Sequence, residues 1–357
     1  MTIVAEVVDA VIGIDTHRDT HQAELAGPTG AVSARVTIAN SEAGFAELID
    51  WIAEHAPGPE IVVGIEGTRS YGIGVARALS TAGLRVTEVE QPSRKTRRGK
   101  GKTDAIDAHH AVLAVLRAEL DHLAEVRADG DREALRLLLN ARTEMTHTAT
   151  AQANQLHALL LSGDDTDRTL ARRAFSKTRL STLIGRALPS TADRATRIRE
   201  AEISRLATSL LLLRDALTGN KKTLTGIVDE LAPELISRIG IGAVSAAQVL
   251  VSYSHPGRVR NDAAFAALAG TAPLPADSGL RSGRHRLNRG GDRALNRAIH
   301  TIALTRMRHD ERTRDYVAKR RAEGKTHREI TRILKRYITR ELHRALTPPR
   351  RAALDNT

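Results

Sequence analysis

The sequence predicts three consecutive parts: an α/β layer with a mixed sheet, a helical coiled-coil middle, and a mostly α-helical, basic C-terminal part. Short β-rich runs alternate with helical patterns over residues 1–120. Leucines at helical spacing dominate residues 121–232. Glycine turns, short helical patterns and a basic tail fill residues 233–357. We therefore expect three domains with these boundaries.

The first three strand-like runs follow one another closely, whereas the later two are separated by helices. Ser41 is a typical N-cap of the first helix, and the second helix ends at Gly83. A meander followed by helix-separated strands predicts a mixed sheet. The five predicted strands are VDAVIGID, HQAELA, AVSARVTI, EIVVGIE and LRVTEVE.

Acidic residues stand at the ends of two of these strands and at the start of the next helix. Asp15 ends the first strand, and Glu66 ends the fourth. Asp104 and Asp107 open the helix that Thr103 caps, and their spacing puts them on one helical face. Ligands gather at strand ends in open α/β sheets, so we expect the four carboxylates to converge. Each acid alone is more often a turn or solvated residue, but the joint pattern is typical of a Mg²⁺ site.

The middle of the chain carries a heptad pattern. Apolar residues recur there at steps of three and four, and Asn220 fills the one skipped position. This seam predicts a coiled coil with another helix of the same chain, about residues 131–161, or with another subunit. Residues 163–193 would connect the two helices. The residues of the seam are Leu206, Leu210, Leu213, Leu217, Leu224, Ile227 and Leu231.

The third part begins with a helix, a Gly-Ile-Gly turn and another helix. Gly240 and Gly242 allow backbone N–H groups at a helix N-terminus to face a phosphate. This arrangement resembles a helix-hairpin-helix, a module that binds the DNA backbone without sequence preference. A loop rich in Pro, Gly and Arg follows, and the last predicted helix is strongly basic.

The charge of the chain is unevenly distributed. Residues 278–351 hold 22 Lys and Arg against 7 Asp and Glu, a net of +15, which leaves the rest of the chain near −3 within a total of +12. A basic third joined to a near-neutral body favours a nucleic-acid partner over a merely solvated surface. Aromatic residues make up only 2% of the chain, which limits sequence recognition by stacked bases.

Two basic runs are candidates for binding phosphates, and such binding weakens steeply with salt. The first run precedes the acidic pair and consists of Arg94, Lys95, Arg97, Arg98, Lys100 and Lys102. The second run lies in the C-terminal loop and the helix after it, and consists of Arg281, Arg284, Arg286, Arg289, Arg293 and Arg297.

Other features narrow the class of protein. The chain has no cysteine, which excludes disulfides and thiolate metal sites. No apolar run reaches the roughly 20 residues of a membrane span, and no signal-peptide pattern opens the sequence. We therefore expect a cytoplasmic protein without membrane association.

Three N-terminal segments together resemble the DEDD insertion-sequence transposases. They are VIGIDTHRDTHQAEL, VVGIEGTRSYG and KTDAIDAHHAV. The family's N-terminal domain is RuvC-like, with a ribonuclease-H-like fold. Residues 236–300, with AALAGTAPLPADSG and GGDRALNRAI, resemble its second domain, so the match covers both ends of the chain in the right order.

The resemblance implies a mechanism with two components. Asp15, Glu66, Asp104 and Asp107 would bind Mg²⁺, with two ions expected and Mn²⁺ as a substitute. A serine of the second domain would be the nucleophile. Ser278, between Asp277 and Gly279, matches the family pattern better than its rival Ser282.

The resemblance also implies partners. These are double-stranded donor and target DNA, a structured guide (bridge) RNA that pairs with both, and further copies of the chain in a dimer or tetramer. The protein would be bacterial and would associate with the nucleoid when active. Two alternatives remain open: a metal-dependent junction nuclease or invertase in which water attacks without an RNA guide, and a DNA-binding structural protein.

The sequence departs from the family pattern at two turns. Gly67 and Arg69 stand in EGTRS, where the family has Glu-Ala-Thr-Gly. Ile239 takes the place of a proline before Gly-Ile-Gly. The acid and the glycines are kept, so only the local turns are in question.

Overall fold

A computed structural model gives the fold of the chain. It describes residues 2–68, 70–89, 104–124, 126, 129–187, 190–255, 258–275, 285–286 and 290–347. Among these, only the backbone is described at 104–106, 122, 275 and 285–286.

The N-terminal part is a five-stranded mixed sheet with the order β3-β2-β1-β4-β5. The meander β1-β2-β3 is antiparallel, while β4 and β5 add in parallel to the other side of β1. The predicted mixed sheet is thus confirmed, with each strand within a few residues of its expected bounds. The strands are β1 (Ala10–Thr16), β2 (Thr20–Ala26), β3 (Val32–Ala39), β4 (Ile61–Glu66) and β5 (Arg85–Val89).

Three helices cover the two faces of this sheet: α1 (Glu42–His55), α2 (Ile73–Thr81) and α3 (Asp104–Leu116). Side chains alternate between the faces of a strand. Ile12 and Ile14 therefore pack with the leucines of α1 and α2, whereas Val11 packs with α3 on the opposite face. Ser41 caps α1 as predicted, because its hydroxyl accepts a hydrogen bond from the amide of Gly44.

Two long antiparallel helices form the middle of the molecule: α4 (Gly130–Leu161) and α7 (Arg194–Leu231). Leu156 and Leu160 of α4 pack with the beginning of α7, and Leu135 packs with its end. The short helices α5 (Asp165–Ala171) and α6 (Lys177–Leu183) lie in the connection.

The seam of α7 departs from the predicted residues at its C-terminal end. Leu206, Leu210 and Leu224 are buried as expected. At the C-terminal end, however, Leu231 is exposed and Val228 is buried instead. Ile227 remains partly buried beside Val228, and the seam shifts by one position because a straight α-helix drifts relative to a strict heptad.

Asn220 is buried at the contact between α4 and α7. Its amide donates to the carbonyl of Leu138 at 2.9 Å, and its oxygen accepts from Arg142 at 3.3 Å. Arg142 also binds the carbonyl of Leu217 at 3.0 Å. The polar side chain in the skipped position of the seam is therefore satisfied across the interface, where it favours a single register.

The C-terminal part is a helical assembly around one core that includes Phe265, Leu295 and Ile338. The predicted loop before α11 contains a short antiparallel pair, in which Leu274–Pro275 (β6) lies against His285–Arg286 (β7). Within the described residues, no helix combines the length and apolar character needed to cross a membrane. The helices are α8 (Pro233–Ile236), α9 (Ala243–Tyr253), α10 (Asp262–Leu268), α11 (Arg293–His309), α12 (Glu311–Ala322) and α13 (His327–Leu346).

Candidate active site

The strand-end acids Asp15 and Glu66 lie on adjacent parallel strands. The register pairs Gly13 with Gly64 and Ile14 with Ile65, so the next positions along β1 and β4 bring the two acids side by side. Neighbouring strands are about 4.8 Å apart. Both residues are almost fully buried, with 7% and 5% of their surface exposed.

The glycines two residues before each acid allow α3 to approach the sheet closely. A Cβ on Gly13 would lie 2.2 Å from the carbonyl oxygen of Ala108. A Cβ on Gly64 would lie 2.4 Å from a methyl carbon of Val115. The Gly-Ile-Asp and Gly-Ile-Glu sequences thus combine a flat surface for the helix with an acid on the same face of the sheet.

The direction of α3 brings its N-terminus to the edge of the sheet where the acids lie. Its last residues are near the start of β1, because Val4, just ahead of that strand, donates to the carbonyl of Ala118 at 3.0 Å. The first turn therefore lies toward the carboxyl ends of β1 and β4. Asp107, which is half-buried, belongs to this turn, and so does the backbone of Asp104, whose side chain lies outside the described residues.

The turn after β4 fixes the position of Glu66. Gly67 has a φ of +78°, a backbone conformation that glycine adopts without strain. The hydroxyl of Thr16 donates to the carbonyl of Glu66 at 2.7 Å and thereby joins the ends of β1 and β4. A Cβ on Gly67 would lie 2.9 Å from that hydroxyl oxygen. The glycine that departs from the family pattern is therefore required by this turn.

A fifth carboxylate, which the sequence analysis did not single out, lies on the same face. Glu24 of β2 is paired with Gly13 in the sheet and is 1% exposed. Its oxygens contact Nδ1 of His109 at 2.5 Å and Nε of Arg35 at 2.8 Å. The acid within the predicted strand HQAELA was the available signal. Glu24 is held by a histidine of α3 and an arginine of β3, and it therefore joins α3 to the sheet.

Two histidines of the meander have different environments. Nδ1 of His17 lies 3.7 Å from an oxygen of Asp15, and its ring is partly exposed beside the acids. His21 is fully buried and stacks on Phe45 with 6.0 Å between the ring centroids. Burial lowers the pKa of His21, so the neutral imidazole is favoured there.

In the C-terminal part, Gly240 has a φ of +85° and forms the predicted turn. Nε of Arg306, from α11, donates to the carbonyl of Ile239 at 2.7 Å, which holds the turn in the absence of the family's proline. Gly242 caps α9 next to open space. The helix before the turn, α8, has only four residues, so the helix-hairpin-helix stays a prediction.

The chain before the serine-bearing segment is hydrogen-bonded to the chain after it. Asp292 caps α11 and accepts a hydrogen bond from the hydroxyl of Ser252 at 2.6 Å. Asn296 donates to the carbonyl of Ala269 at 2.7 Å, and the amide of Asp292 donates to that of Leu268 at 2.7 Å. Residues 268–269 therefore lie beside the start of α11.

Many of the predicted site residues lie outside the described part of the structure. Of the second basic run, Arg293 and Arg297 are described and are exposed on successive turns of α11. The side chains outside the description are those of Ser278, Ser282, Asp104, Arg94, Lys95, Arg97, Arg98, Lys100, Lys102, Arg281, Arg284, Arg286 and Arg289, together with Thr103 and Arg69.

Comparison with known proteins gives two matches in the order that the fold suggests. Residues 12–163, which include the sheet and α4, match a family model for the DEDD transposases of IS110 type, described as a transposase. Residues 232–318, which begin just before α8, match the model described as "Transposase IS116/IS110/IS902 family". The chain belongs to the IS110-type transposase family. It is a DNA transposase/recombinase enzyme.

Curated relatives match along almost the whole transposase. An insertion element IS900 protein of Mycobacterium paratuberculosis, named as an uncharacterized 42 kDa protein, is 27% identical over 91% of this chain and 92% of its own. An insertion element IS110 protein of Streptomyces coelicolor, named as an uncharacterized 43.6 kDa protein, is 25% identical over 94% of this chain and 93% of its own.

The donor atoms at the strand ends of the transposase fit a hard divalent cation. Two adjacent buried carboxylates repel each other, and a cation between them removes that repulsion. Among the side chains that the structure describes, which include Asp15, Glu66 and Asp107, no three His, Asp or Glu residues form a group that could hold a metal ion. The set of four would be completed from α3, where the side chain of Asp104 is not described.

Proposed function

We propose that the transposase cuts and rejoins DNA strands with a Mg²⁺-bound site of Asp15, Glu66, Asp104 and Asp107 and with Ser278 as the nucleophile. The observation that carries this proposal is the pair of buried acids at adjacent strand ends, approached by the first turn of α3. A divalent cation bound between two nearly buried neighbouring carboxylates would offset their mutual repulsion, which supports a metal-binding role for this pair.

The four carboxylates would hold the cation, with two ions expected and Mn²⁺ as a substitute. Bound Mg²⁺ supplies charge stabilisation for a phosphoryl group and orients the attacking and leaving oxygens. The chain's own contribution is to fix the ligands. The Thr16 hydroxyl holds the end of β4, and the Gly13 and Gly64 contacts set the height of α3 above the sheet.

In the proposed reaction the Ser278 oxygen forms a bond to phosphorus while the bond from phosphorus to the leaving deoxyribose oxygen breaks. The serine proton passes to solvent water, and the leaving oxygen takes up a proton from solvent, so the step is balanced. The resulting phosphoserine retains the energy of the phosphodiester, so a second strand can reverse the step and be joined. Hydrolysis would lose that energy, which is why a recombinase benefits from a protein nucleophile.

The proposal includes the wider partners and the domain organisation. Donor and target DNA would contact the two basic runs and the Gly240–Gly242 turn, and a guide RNA would supply sequence recognition by base pairing. The domains would be residues 1–120, 121–232 and 233–357, with α4 and α7 as a coiled-coil linker. Self-association into a dimer or tetramer would let one subunit's acids act with another's serine.

The decisive experiment compares Ser278→Ala with Ser282→Ala in a strand-transfer assay with labelled DNA and Mg²⁺. We expect the wild type and Ser282→Ala to form a covalent protein–DNA adduct, and Ser278→Ala to form none. Cleavage without any adduct in the wild type would instead establish the water-using nuclease. Recombination by protein free of RNA would remove the guide RNA from the proposal.

The acids are tested separately from the serine. Asp15→Asn should abolish cleavage while DNA binding is retained, because the carboxylate is needed for the metal and not for the phosphate contacts. Asp50→Asn, an exposed acid of α1 in the same domain, is the matched control and should cleave like the wild type. Cleavage by Asp15→Asn at the wild-type rate would contradict the site.

A further inference from the structure

The outer face of α13 carries an exposed tyrosine among arginines. Tyr337 is 49% exposed, although aromatic side chains make up only 2% of the chain. Residues 337, 340, 341 and 344 follow one another at steps of three, one and three, which puts them on one helical face. Ile338 and Leu342 of the same helix face the core, so this tyrosine is not needed to fill it.

A cavity of about 500 Å³ lies beside the Tyr337 ring, a volume within the range of small-molecule sites. Three arginines and one glutamate contribute charge to its wall, so the lining is net positive. The residues that line it are Arg238, Tyr337, Arg340, Glu341, Arg344 and Ala345.

The acid in this wall is already engaged. Glu341 accepts hydrogen bonds from Arg306 at 2.7 and 3.0 Å and from Arg238 at 3.1 Å. Arg340 forms an exposed ion pair with Asp262 at 3.2 Å, and breaking such a pair costs little free energy. The cavity therefore offers cationic groups for an anion, while the Glu341 carboxylate already accepts hydrogen bonds from two arginines.

A second tyrosine holds the first in place. The rings of Tyr316 and Tyr337 meet edge to face, with centroids 6.1 Å apart and an angle of 85°. The guanidinium of Arg320 lies over the Tyr316 ring at 5.5 Å and donates to its hydroxyl at 3.1 Å. Edge-to-face contact fixes the orientation of Tyr337 while leaving part of its ring exposed.

We propose that Tyr337, with Arg340 and Arg344, binds one unpaired nucleotide of the DNA, whose base stacks on the ring while its phosphate contacts the arginines. This inference rests on the proposed function, since strand exchange on DNA creates unpaired bases at the exchange point. A stacked base needs an exposed aromatic face and a neighbouring cationic groove, and both meet at this cavity. Phosphate contacts alone would not require the ring.

The experiment measures binding of the full-length protein to two DNA probes by fluorescence anisotropy. One probe is a perfect duplex, and the other is the same duplex with one unpaired 2-aminopurine nucleotide. We expect the wild type to prefer the second probe and to quench its fluorescence by stacking. Tyr337→Ala should lower affinity for that probe by about tenfold with little change for the perfect duplex, and Tyr337→Phe should behave like the wild type.

Two variants that each remove one positive charge test whether the cavity binds the nucleotide or whether DNA is attracted by positive charge in general. Arg344→Ala should weaken binding of the unpaired-nucleotide probe more than Lys319→Ala, which removes an exposed cation of α12 outside the cavity. Equal binding of both probes by wild type and Tyr337→Ala, or a tighter complex with the same probe made of RNA, would overturn the assignment. If the wild type binds neither duplex, the proposed function itself fails; intact strand transfer with no stacking refutes only this site.

Discussion

Gly13 and Gly64 show how single residues set the geometry of the acidic site. Each lies two positions before an acid, at a position where any side chain would collide with α3. The physical reason is steric, because a helix can cross a sheet this closely only over positions without a Cβ. At this scale the glycine is as informative as the acid that follows it.

Gly13→Ala should destabilise the N-terminal part and impair cleavage, because the new methyl group would push α3 and Asp107 away from the sheet. Overpacking of this kind costs about 1–3 kcal/mol in the free energy of unfolding. Urea denaturation and a cleavage assay measure the two effects. Gly27→Ala is the matched control, since a Cβ there meets nothing within 4 Å. Equal stability of both variants would refute the close approach.

At the scale of elements, the pairing of α4 with α7 depends on a few buried polar groups as well as on the leucine seam. Asn220 binds across the contact. At the far end Asp167, 2% exposed, contacts Arg186 at 2.7 Å and Arg199 at 3.9 Å, and Arg186 also pairs with Glu200. These groups orient α5 and α6 against the long helices.

Asn220→Ala should lower the free energy of unfolding by about 1–3 kcal/mol, because the carbonyl of Leu138 loses its donor and Arg142 loses an acceptor. Thermal denaturation followed by circular dichroism measures the change. Thr218→Ala, on the exposed side of the same helix, should leave the midpoint near that of the wild type. A midpoint for Asn220→Ala equal to the control would show that the leucines alone define the pairing.

Asp167→Asn should loosen the connection between the long helices, because Arg186 and Arg199 keep their positive charges but lose the carboxylate that they contact. The expected cost is about 1.5–3 kcal/mol for a charged hydrogen bond. Hydrogen exchange should accelerate over residues 163–186 and not in the sheet. Asp165→Asn, on the same short helix but 97% exposed at its side chain, serves as the control. Equal hydrogen-exchange rates over residues 163–186 in the two variants would contradict this role.

The elements themselves follow largely from local patterns. Short β-rich runs predict the five strands, and Ser41 marks the start of α1, because residue type and helical period are local properties. The short pairing of Leu274–Pro275 with His285–Arg286 was missed, since two-residue strands have no period to detect. Leu231 was misassigned to the seam, because which helical turn is buried depends on the partner helix.

At the scale of the whole molecule, Glu341 joins three parts of the C-terminal assembly. It binds Arg238 beyond α8 and Arg306 of α11 from its place on α13. The hydrogen bonds from Arg306, ahead of the cost of burial, hold the pKa of Glu341 below its usual value of 4.5. The same arginine also holds the Gly240 turn through Ile239.

This network should make stability depend on pH. Because the folded-state pKa of Glu341 is depressed, its contribution is complete above about pH 4.5 and is lost as the pH falls below that value. Glu341→Gln should therefore be less stable than the wild type at pH 7, and the difference should shrink toward acid. Denaturant unfolding at pH 7 and at an acidic pH measures this difference in stability, with the exposed Asp315→Asn as control. A difference that grows toward acid would contradict the linkage.

The sequence by itself determined the order of elements, the basic C-terminal third and the positions of the acids relative to strand ends, because these depend on local period, composition and spacing. Only the tertiary structure decided that Asp15 and Glu66 are neighbours, that Glu24 lies on the same face of the sheet, and that Tyr337 shares a cavity with Arg238, Arg340 and Arg344. Register, helix approach and cavity shape arise from contacts between residues far apart in the chain. Those contacts determine which residues lie next to the Gly-Ile-Asp sequence and next to the exposed tyrosine.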